Sequence, residues 1–191
     1  MYAHQMIKSL FGALLALTVF AAQAIPVNVN LGDTPGPLNG GVVNSNLVAP
    51  GAGTGTITFD LIGYLSVDGA NCCTDTFTFG INGTTLFSGG FDMGGGGTNF
   101  INFIDPSVTV VSSTSYGVFN GGLTKFSVNH ALLAGNNSYS FNYGVMQGLS
   151  DEGWGLKNVI VTGNVAVVPE PASMALLGLG LLGLAGMRRK Q

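Results

Sequence analysis

Residues 77–87 read Phe77-Thr78-Phe79-Gly80-Ile81-Asn82-Gly83-Thr84-Thr85-Leu86-Phe87. Before Asn82-Gly83, apolar residues alternate with polar or small ones, which is the two-residue period of a strand with one buried face. Asn and Gly both tolerate positive φ, and this pair between apolar runs is the strongest short-range signal for a two-residue hairpin. The stretch therefore predicts two antiparallel strands joined by a tight turn.

The rest of the central region also has the pattern of short β-strands. Short apolar or β-branched runs are separated by Gly, Asn or Asp, and no central stretch has a sustained helical period. The clearest alternation predicts that Tyr139, Phe141, Tyr143 and Val145 share one buried face. Further strands are predicted at residues 42–48, 57–61, 100–104, 108–111, 123–128 and 158–162. The glycines 94–97 predict a mobile loop, because four consecutive glycines do not form a strand interior.

Eight or nine short strands with Gly-rich turns predict an all-β fold. We expect an antiparallel two-sheet β-sandwich, similar to a jelly roll, over residues 25–165. The side chains assigned to its core are Phe77, Phe79, Phe141 and Tyr143.

Residues 1–24 have the layout of a secretory signal peptide. Lys8 precedes an apolar run over residues 10–22, and Ala22-Gln23-Ala24 is a small-x-small cleavage site. We predict export and cleavage after Ala24. The alternative is an uncleaved N-terminal anchor, which the short apolar run disfavours.

The C-terminal residues 166–191 form a three-part tail. Pro169-Glu170-Pro171 is followed by an uncharged apolar stretch, residues 172–187, and then by Arg188-Arg189-Lys190. As a helix, that stretch reaches about 24 Å, slightly short of a bilayer core. Cations directly after it would stay on the cytoplasmic side. The tail predicts a transmembrane helix with a sorting function, and the alternative is an ordinary membrane anchor.

This tail resembles the PEP-CTERM sorting signal of Gram-negative bacteria in all three parts and in their order. The resemblance implies that a membrane-embedded exosortase recognises Pro169, Glu170 and Pro171, cleaves near them and passes the protein from the inner membrane to the cell surface or matrix. Such signals accompany exopolysaccharide and biofilm systems. Tails of this kind are also called ice-binding protein C-terminal domains, a name that does not indicate ice binding.

The charge of the central region excludes one class of partner. Between the two targeting ends, only Lys125 and Lys157 stand against eight carboxylates. Such a surface has no basic footprint for phosphate backbones, so we expect no nucleic-acid binding. Its polarity comes from Asn, Ser, Thr and Gly, which suits neutral, hydroxyl-rich ligands.

Catalytic residues are scarce. His130 is the one histidine of residues 25–165, and neither a Gly-x-Ser-x-Gly elbow nor a histidine pair at metal-ligand spacing occurs. We therefore predict a protein that is not an enzyme. The alternative is a glycan hydrolase, in which Asp151 and Glu152 would each face another carboxylate. The partners available for that pairing are Asp60, Asp75 and Asp92.

Calcium is the predicted metal, because oxygen-rich loops suit a hard cation. Residues 149–163 resemble the final strand of jelly-roll modules in secreted bacterial proteins, although Lys157 stands where Asp is usual. The predicted ligands are Asp151 and Glu152, followed by Asp75 and Asp92. The alternative is that these are solvated turn carboxylates.

Cys72 and Cys73 are adjacent in a chain predicted to be exported. Neighbouring Cα atoms lie about 3.8 Å apart, below the usual range for a disulfide, so a vicinal bridge is strained. An oxidising compartment nevertheless favours some disulfide. A vicinal bridge, intermolecular pairing and two thiols all remain open.

Aromatic residues suggest a binding role. Trp154, the single tryptophan, lies between Gly153 and Gly155, which would leave its face open for a sugar ring. Tyr64 and Tyr116 could extend that platform, while the alternative for Trp154 is core filling. We therefore expect a surface or matrix protein that binds or structures exopolysaccharide, and a purely structural or adhesive protein–protein module is the alternative.

Overall fold

The computed structural model describes residues 23–167, together with Gly178 and Gly180, which have helical backbone geometry. The first 22 residues of the predicted signal peptide, the Pro-Glu-Pro motif and the basic end lie outside the described residues. The predicted membrane helix also lies outside them, except for those two glycines. Among the described residues, no helix combines the length and apolar character that a membrane crossing requires.

Ten strands occupy residues 23–167. In chain order they are β1 (Gln23–Asn30), β2 (Gly41–Ala49), β3 (Ala52–Leu65), β4 (Phe77–Ile81), β5 (Thr84–Gly90), β6 (Phe100–Ile104), β7 (Val108–Ser115), β8 (Gly122–Leu132), β9 (Gly135–Tyr143) and β10 (Glu152–Val167). They form two five-stranded antiparallel sheets. Sheet A has the order β1-β10-β3-β8-β7, and sheet B has the order β2-β9-β4-β5-β6. The predicted all-β, two-sheet sandwich is confirmed, and residues Ile25–Val165 form one compact unit.

The hairpin predicted from Asn82-Gly83 is confirmed. Ile81 pairs with Thr84, and φ is 51° at Asn82 and 80° at Gly83. Positive φ at both central residues is the geometry of a two-residue turn whose twist matches that of the flanking strands. The turn therefore sets the register of β4 on β5.

A cluster of aromatic side chains fills the space between the sheets. Phe59 of β3 stacks on Phe126 of β8 with ring centroids 4.7 Å apart. Across the core, its centroid lies 5.0 Å from those of Phe79 and Phe141 in sheet B. The side chains predicted to be in the core, Phe77, Phe79, Phe141 and Tyr143, are all at most 1% exposed. Burial of each such side chain contributes about 1.5–3 kcal/mol, so this cluster is a main source of the fold's stability.

The predicted burial of Val145 is wrong. Its side chain is 99% exposed, because β9 ends at Tyr143. Tyr143 pairs with Gly41 at the start of β2 and with Phe77 at the start of β4, so both partner strands begin there. The apolar alternation continues in the sequence after the sheet has ended.

Strands β1 and β10 also differ from the prediction. The sequence did not predict edge strand β1. The final strand has 16 residues rather than the five predicted. It bends at Asn158, where φ is 53° and the backbone NH donates to Asp33 Oδ1 at 2.9 Å.

The glycines 94–97 lie outside the strands, as predicted, while their mobility stays a prediction. Asp92 Oδ1 accepts hydrogen bonds from the backbone NH groups of Gly94 (3.2 Å) and Gly96 (2.8 Å). At Gly94, φ is +103° and a Cβ would lie 2.1 Å from the Leu65 carbonyl oxygen. The turn therefore requires glycine at that position.

Candidate functional site

An open groove of about 790 Å³ crosses the outer face of sheet A. It lies where the start of β3 meets the ends of β8 and β10. Along β3, Gly55, Ile57 and Phe59 point into the core, so the threonines between them point outward. The polar side chains that line this groove, here called the threonine groove, are Asn28, Thr54, Thr56, Asn129, Thr162 and Asn164.

The threonine groove presents neutral hydrogen-bonding groups. Thr56 Oγ1 donates to Asn129 Oδ1 at 2.8 Å, which leaves the Asn129 amide as a donor toward the groove. His130 borders the same groove, but its imidazole is on the inner face of β8, where Nε2 lies 3.4 Å from the hydroxyl of Tyr139. Burial lowers the pKa of His130 below its usual value, so the imidazole is neutral at pH 7. A ligand in this groove therefore meets hydroxyls and amides rather than formal charge.

The polar face continues along β3 and β8 beyond the groove. A second depression of about 290 Å³ is lined by Thr58, Asp60, Lys125, Ser127 and Asn158, among others. Lys125 Nζ lies 3.9 Å from Asp60 Oδ1, and Asn158 Nδ2 donates to Asp60 Oδ2 at 2.8 Å. Because the lysine is half exposed, this ion pair contributes little to stability. Asp60 and Lys125 therefore lie beside the threonine groove rather than in it.

A second arrangement lies at the opposite end of β3 and β10. Asp68 and Asp75 belong to the connection between β3 and β4, residues 66–76, here called the β3–β4 loop. Glu152 is the first residue of β10. One carboxylate oxygen from each of the three residues lies within 4.8 Å of the others. The side chains are 6%, 5% and 0% exposed, so the cluster is too buried to contact a polysaccharide chain.

Hydrogen bonds hold this carboxylate cluster in place. Asp75 Oδ2 accepts from the backbone NH of Asp68 at 2.8 Å, and Asp68 Oδ1 accepts from Asn71 Nδ2 at 2.5 Å. Glu152 Oε1 accepts from the backbone NH of Gln147. Burial, together with the neighbouring Glu152, raises the pKa of Asp75 to about 7, and burial also raises the pKa of Asp68. The cluster is therefore a site where negative charge is costly.

Three buried polar atoms in this region have no hydrogen-bond partner among the described residues. They are Glu152 Oε2, the hydroxyl of Tyr143 and Trp154 Nε1, and all three side chains are fully buried. Burial raises the pKa of Tyr143, and the charges of Asp75 and Glu152 raise it further. The tyrosine hydroxyl thus lies close enough to the carboxylates to feel their negative charge. Unpartnered buried polar atoms cost free energy, which calls for an explanation at this site.

The structure keeps two of the four predicted metal ligands together and separates the others. Asp75 and Glu152 meet in the cluster. Asp151 instead accepts a hydrogen bond from Ser66 Oγ at 2.9 Å, and Asp92 binds the glycine turn. Asp68, which the sequence analysis missed, takes their place. No local sequence signal marks Asp68, because its proximity to Glu152 arises only from the packing of distant segments.

The predicted sugar platform does not form around Trp154. This side chain is 0% exposed and packs against Tyr143 and Phe77, with centroids 5.6 and 6.3 Å away. The core-filling alternative for Trp154 is therefore confirmed and the open indole face is wrong, because β10 turns this side chain toward the core. Tyr64 is partly buried and lies over Gly155, and Tyr116 is 57% exposed. Their roles as glycan contacts stay predictions.

Cys72 and Cys73 lie at the tip of the β3–β4 loop. Both are exposed, and the structure has them as free thiols with sulfur atoms 2.7 Å apart. The Cys73 backbone NH donates to Asn71 Oδ1 at 2.7 Å, which forms a tight turn around the pair. The vicinal disulfide stays a prediction.

Comparisons with known proteins bear on the two parts of the chain separately. The family model for the PEP-CTERM protein-sorting motif matches residues 167–190. No curated protein matches the sequence at a significant level. A similar solved structure is a family 35 carbohydrate binding module from Clostridium thermocellum, 18% identical, with a TM-score of 0.34. The match covers 73% of this chain and 86% of that module. The chain thus carries a PEP-CTERM protein-sorting motif at its C terminus, after a β-sandwich domain.

Proposed function

We propose that the protein is a non-catalytic surface protein whose β-sandwich binds neutral polysaccharide in the threonine groove. The observation that carries this proposal is the chemistry of the groove, which is lined by hydroxyl and amide side chains. Polysaccharide chains offer many hydroxyls that both donate and accept hydrogen bonds. Asn side chains also donate and accept, so the groove complements such a chain without counter-ions.

The sorting motif supports delivery to the place where such a ligand occurs. In this proposal, the signal peptide directs export, and an exosortase recognises Pro169-Glu170-Pro171 in an intermediate that the C-terminal helix holds in the inner membrane. Processing then releases the protein to the cell surface or to the extracellular matrix of a Gram-negative bacterium. There the sandwich binds or structures exopolysaccharide in a biofilm.

The test measures retention of the purified protein on the exopolysaccharide of the producing organism. We expect Thr56→Val combined with Asn129→Ala to weaken binding by about 30-fold, because two hydrogen-bonding groups are lost at roughly 1 kcal/mol each. Thr85→Val is the matched control, since Thr85 is exposed on sheet B rather than in the groove. The melting temperature of each variant shows whether the fold is retained.

The same assay separates the groove from the predicted tyrosine contacts. If Tyr116→Ala abolished retention while the double groove variant bound normally, the site would lie at the other end of β3 and our assignment would be wrong. Absence of retention of the wild-type protein would overturn the binding function itself.

A second candidate function, protein–protein assembly, is favoured by strand β6. This strand is the edge of sheet B, and its Ile101, Phe103 and Ile104 side chains are 52%, 48% and 40% exposed. An exposed apolar edge strand offers both unpaired backbone groups and apolar surface to another chain. Such an edge suits an adhesive or structural module.

Sedimentation of the protein over a range of concentrations tests this candidate. If β6 mediates self-association, Phe103→Ser should raise the dissociation constant about 30-fold, since a central apolar contact contributes about 2 kcal/mol. Val145→Ser removes a fully exposed apolar side chain outside the strands and should change nothing. A wild-type protein that stays monomeric at all concentrations would exclude self-association through this edge.

A further inference from the structure

We propose that Asp68, Asp75 and Glu152 bind one calcium ion, which ties the β3–β4 loop to the start of β10. The site is separate from the threonine groove, because the two lie at opposite ends of β3 and β10. Along β10, Glu152 and Thr162 are ten residues apart, or about 33 Å in an extended strand. The proposal therefore does not depend on whether the groove binds polysaccharide.

Uncompensated charge is the first argument for a cation. Three carboxylates meet in a region that is at most 6% exposed. Among the described residues, the salt bridge found joins Lys125 to Asp60 on the outer face, and Lys157 is exposed on β10. Within residues 23–167, the cluster therefore has no lysine partner. Buried carboxylates are normally paired with a positive group or bound to a metal.

Two unpartnered atoms supply an independent argument. Glu152 Oε2 and the Tyr143 hydroxyl are fully buried and make no hydrogen bond within the described region. An ion among the carboxylates would give Oε2 a partner. A water molecule bound to that ion, or a carboxylate oxygen turned toward it, would accept the tyrosine proton. One ion thus accounts for two of the three unpartnered atoms, and Trp154 Nε1 is the third.

The spacing of the ligands accommodates calcium, and their chemistry favours a hard cation. Calcium binds oxygen at about 2.3–2.6 Å, so two oxygens on opposite sides of the ion lie up to about 5 Å apart. The three carboxylate oxygens lie within 4.8 Å of one another, which fits that limit. Magnesium, with bonds of about 2.0–2.1 Å, would require a spacing of about 4.2 Å or less. Every candidate ligand in the cluster is an oxygen, which disfavours zinc.

The connections of the three residues define what the ion would stabilise. Asp68 and Asp75 lie in the loop that leaves sheet A after β3 and enters sheet B at β4. Glu152 begins β10 of sheet A, and Ser66 already joins the loop to this segment through Asp151. A calcium ion would therefore fix the crossing between the sheets. It would also order the segment that carries Cys72 and Cys73.

Terbium luminescence and thermal melting test the proposal on the full-length chain, purified in a mild detergent and freed of metal with a chelator. Terbium replaces calcium in oxygen sites, and a nearby indole sensitises its emission. Trp154 is the single tryptophan and lies two residues from Glu152. We expect terbium emission on excitation of Trp154, its loss on addition of calcium, and a rise in melting temperature of about 5 °C or more at saturating calcium.

Variants assign the response to the cluster. Glu152→Gln keeps the shape of the side chain and removes its charge, so we expect it to abolish both the emission and the calcium-dependent rise. Asp33→Asn is the control, because Asp33 is an exposed carboxylate outside the cluster and should leave both signals intact. If Glu152→Gln failed to fold, competition between terbium and calcium on the wild-type protein would decide the question.

Three results would overturn the proposal. One is a wild-type protein that shows neither emission nor a calcium-dependent rise, as expected if a shared proton neutralises the cluster instead. The second is an equal rise with magnesium, which would overturn the ion assignment. The third is a full response in the Glu152→Gln variant.

Discussion

Replacement of Phe59 by Ala is expected to destabilise the protein by about 3–5 kcal/mol, the usual cost of removing a fully buried aromatic ring. Phe59 is 1% exposed, and its ring contacts Phe126 on its own sheet and Phe141 on the other. No neighbouring side chain can fill the cavity without leaving its own packed position. Because small domains are stable by only about 5–15 kcal/mol, this loss removes a large part of the total.

Equilibrium urea denaturation measures this effect. The fluorescence of buried Trp154 reports the loss of the core. Phe103→Ala is the matched control, since Phe103 is 48% exposed on edge strand β6 and its truncation should cost less than about 1 kcal/mol. Equal destabilisation by the two substitutions would contradict the central position of Phe59.

Replacement of Glu170 by Ala is expected to leave the protein as an uncleaved, membrane-bound form. Loss of one charged partner in a buried contact costs about 2–5 kcal/mol, so cleavage should slow by about 30-fold or more. Immunoblotting of membrane and extracellular fractions measures the ratio of the two forms. Gln191→Ala is the control, because Gln191 follows the matched residues 167–190. Unchanged processing of the Glu170→Ala protein would tell against recognition by an exosortase.

The local features of the fold could be predicted from the sequence because short-range chemistry specifies them. Asn82-Gly83 has the backbone freedom that a two-residue turn requires, and both residues do adopt positive φ. The alternation through Phe77, Phe79 and Ile81 depends only on the geometry of one strand. Strand β6 was predicted with its observed bounds, Phe100–Ile104, because it is a short apolar run.

Errors arose where a feature depended on partners distant in the chain. Val145 continues the alternation of β9, yet it is exposed because β2 and β4 do not extend alongside it. Trp154 lies between glycines that suggest an open face, yet the opposite sheet covers it with Tyr143 and Phe77. Alternation shows that a strand has two faces, but it does not show where pairing ends or what covers each face.

The candidate sites, too, could be predicted from the sequence only in part. The composition of residues 25–165 indicated neutral, hydroxyl-rich ligands, and the structure gathered Thr and Asn side chains from four strands into one groove. The carboxylate cluster could be predicted only in part. Asp75 and Glu152 were candidates, but their contact with each other and with Asp68 joins segments more than seventy residues apart in the chain.

The sequence by itself determined the sorting motif at residues 167–190, the strand character of the central region and the Asn82-Gly83 turn. Each of these is a local property, either recognised as a linear motif or set by the conformational preferences of neighbouring residues. Only the tertiary structure decided that Trp154 is buried, that Asp68 completes the carboxylate cluster and that the threonine groove crosses four strands. Burial and proximity are properties of packed surfaces, and the packing of two sheets brings together residues that no local pattern connects.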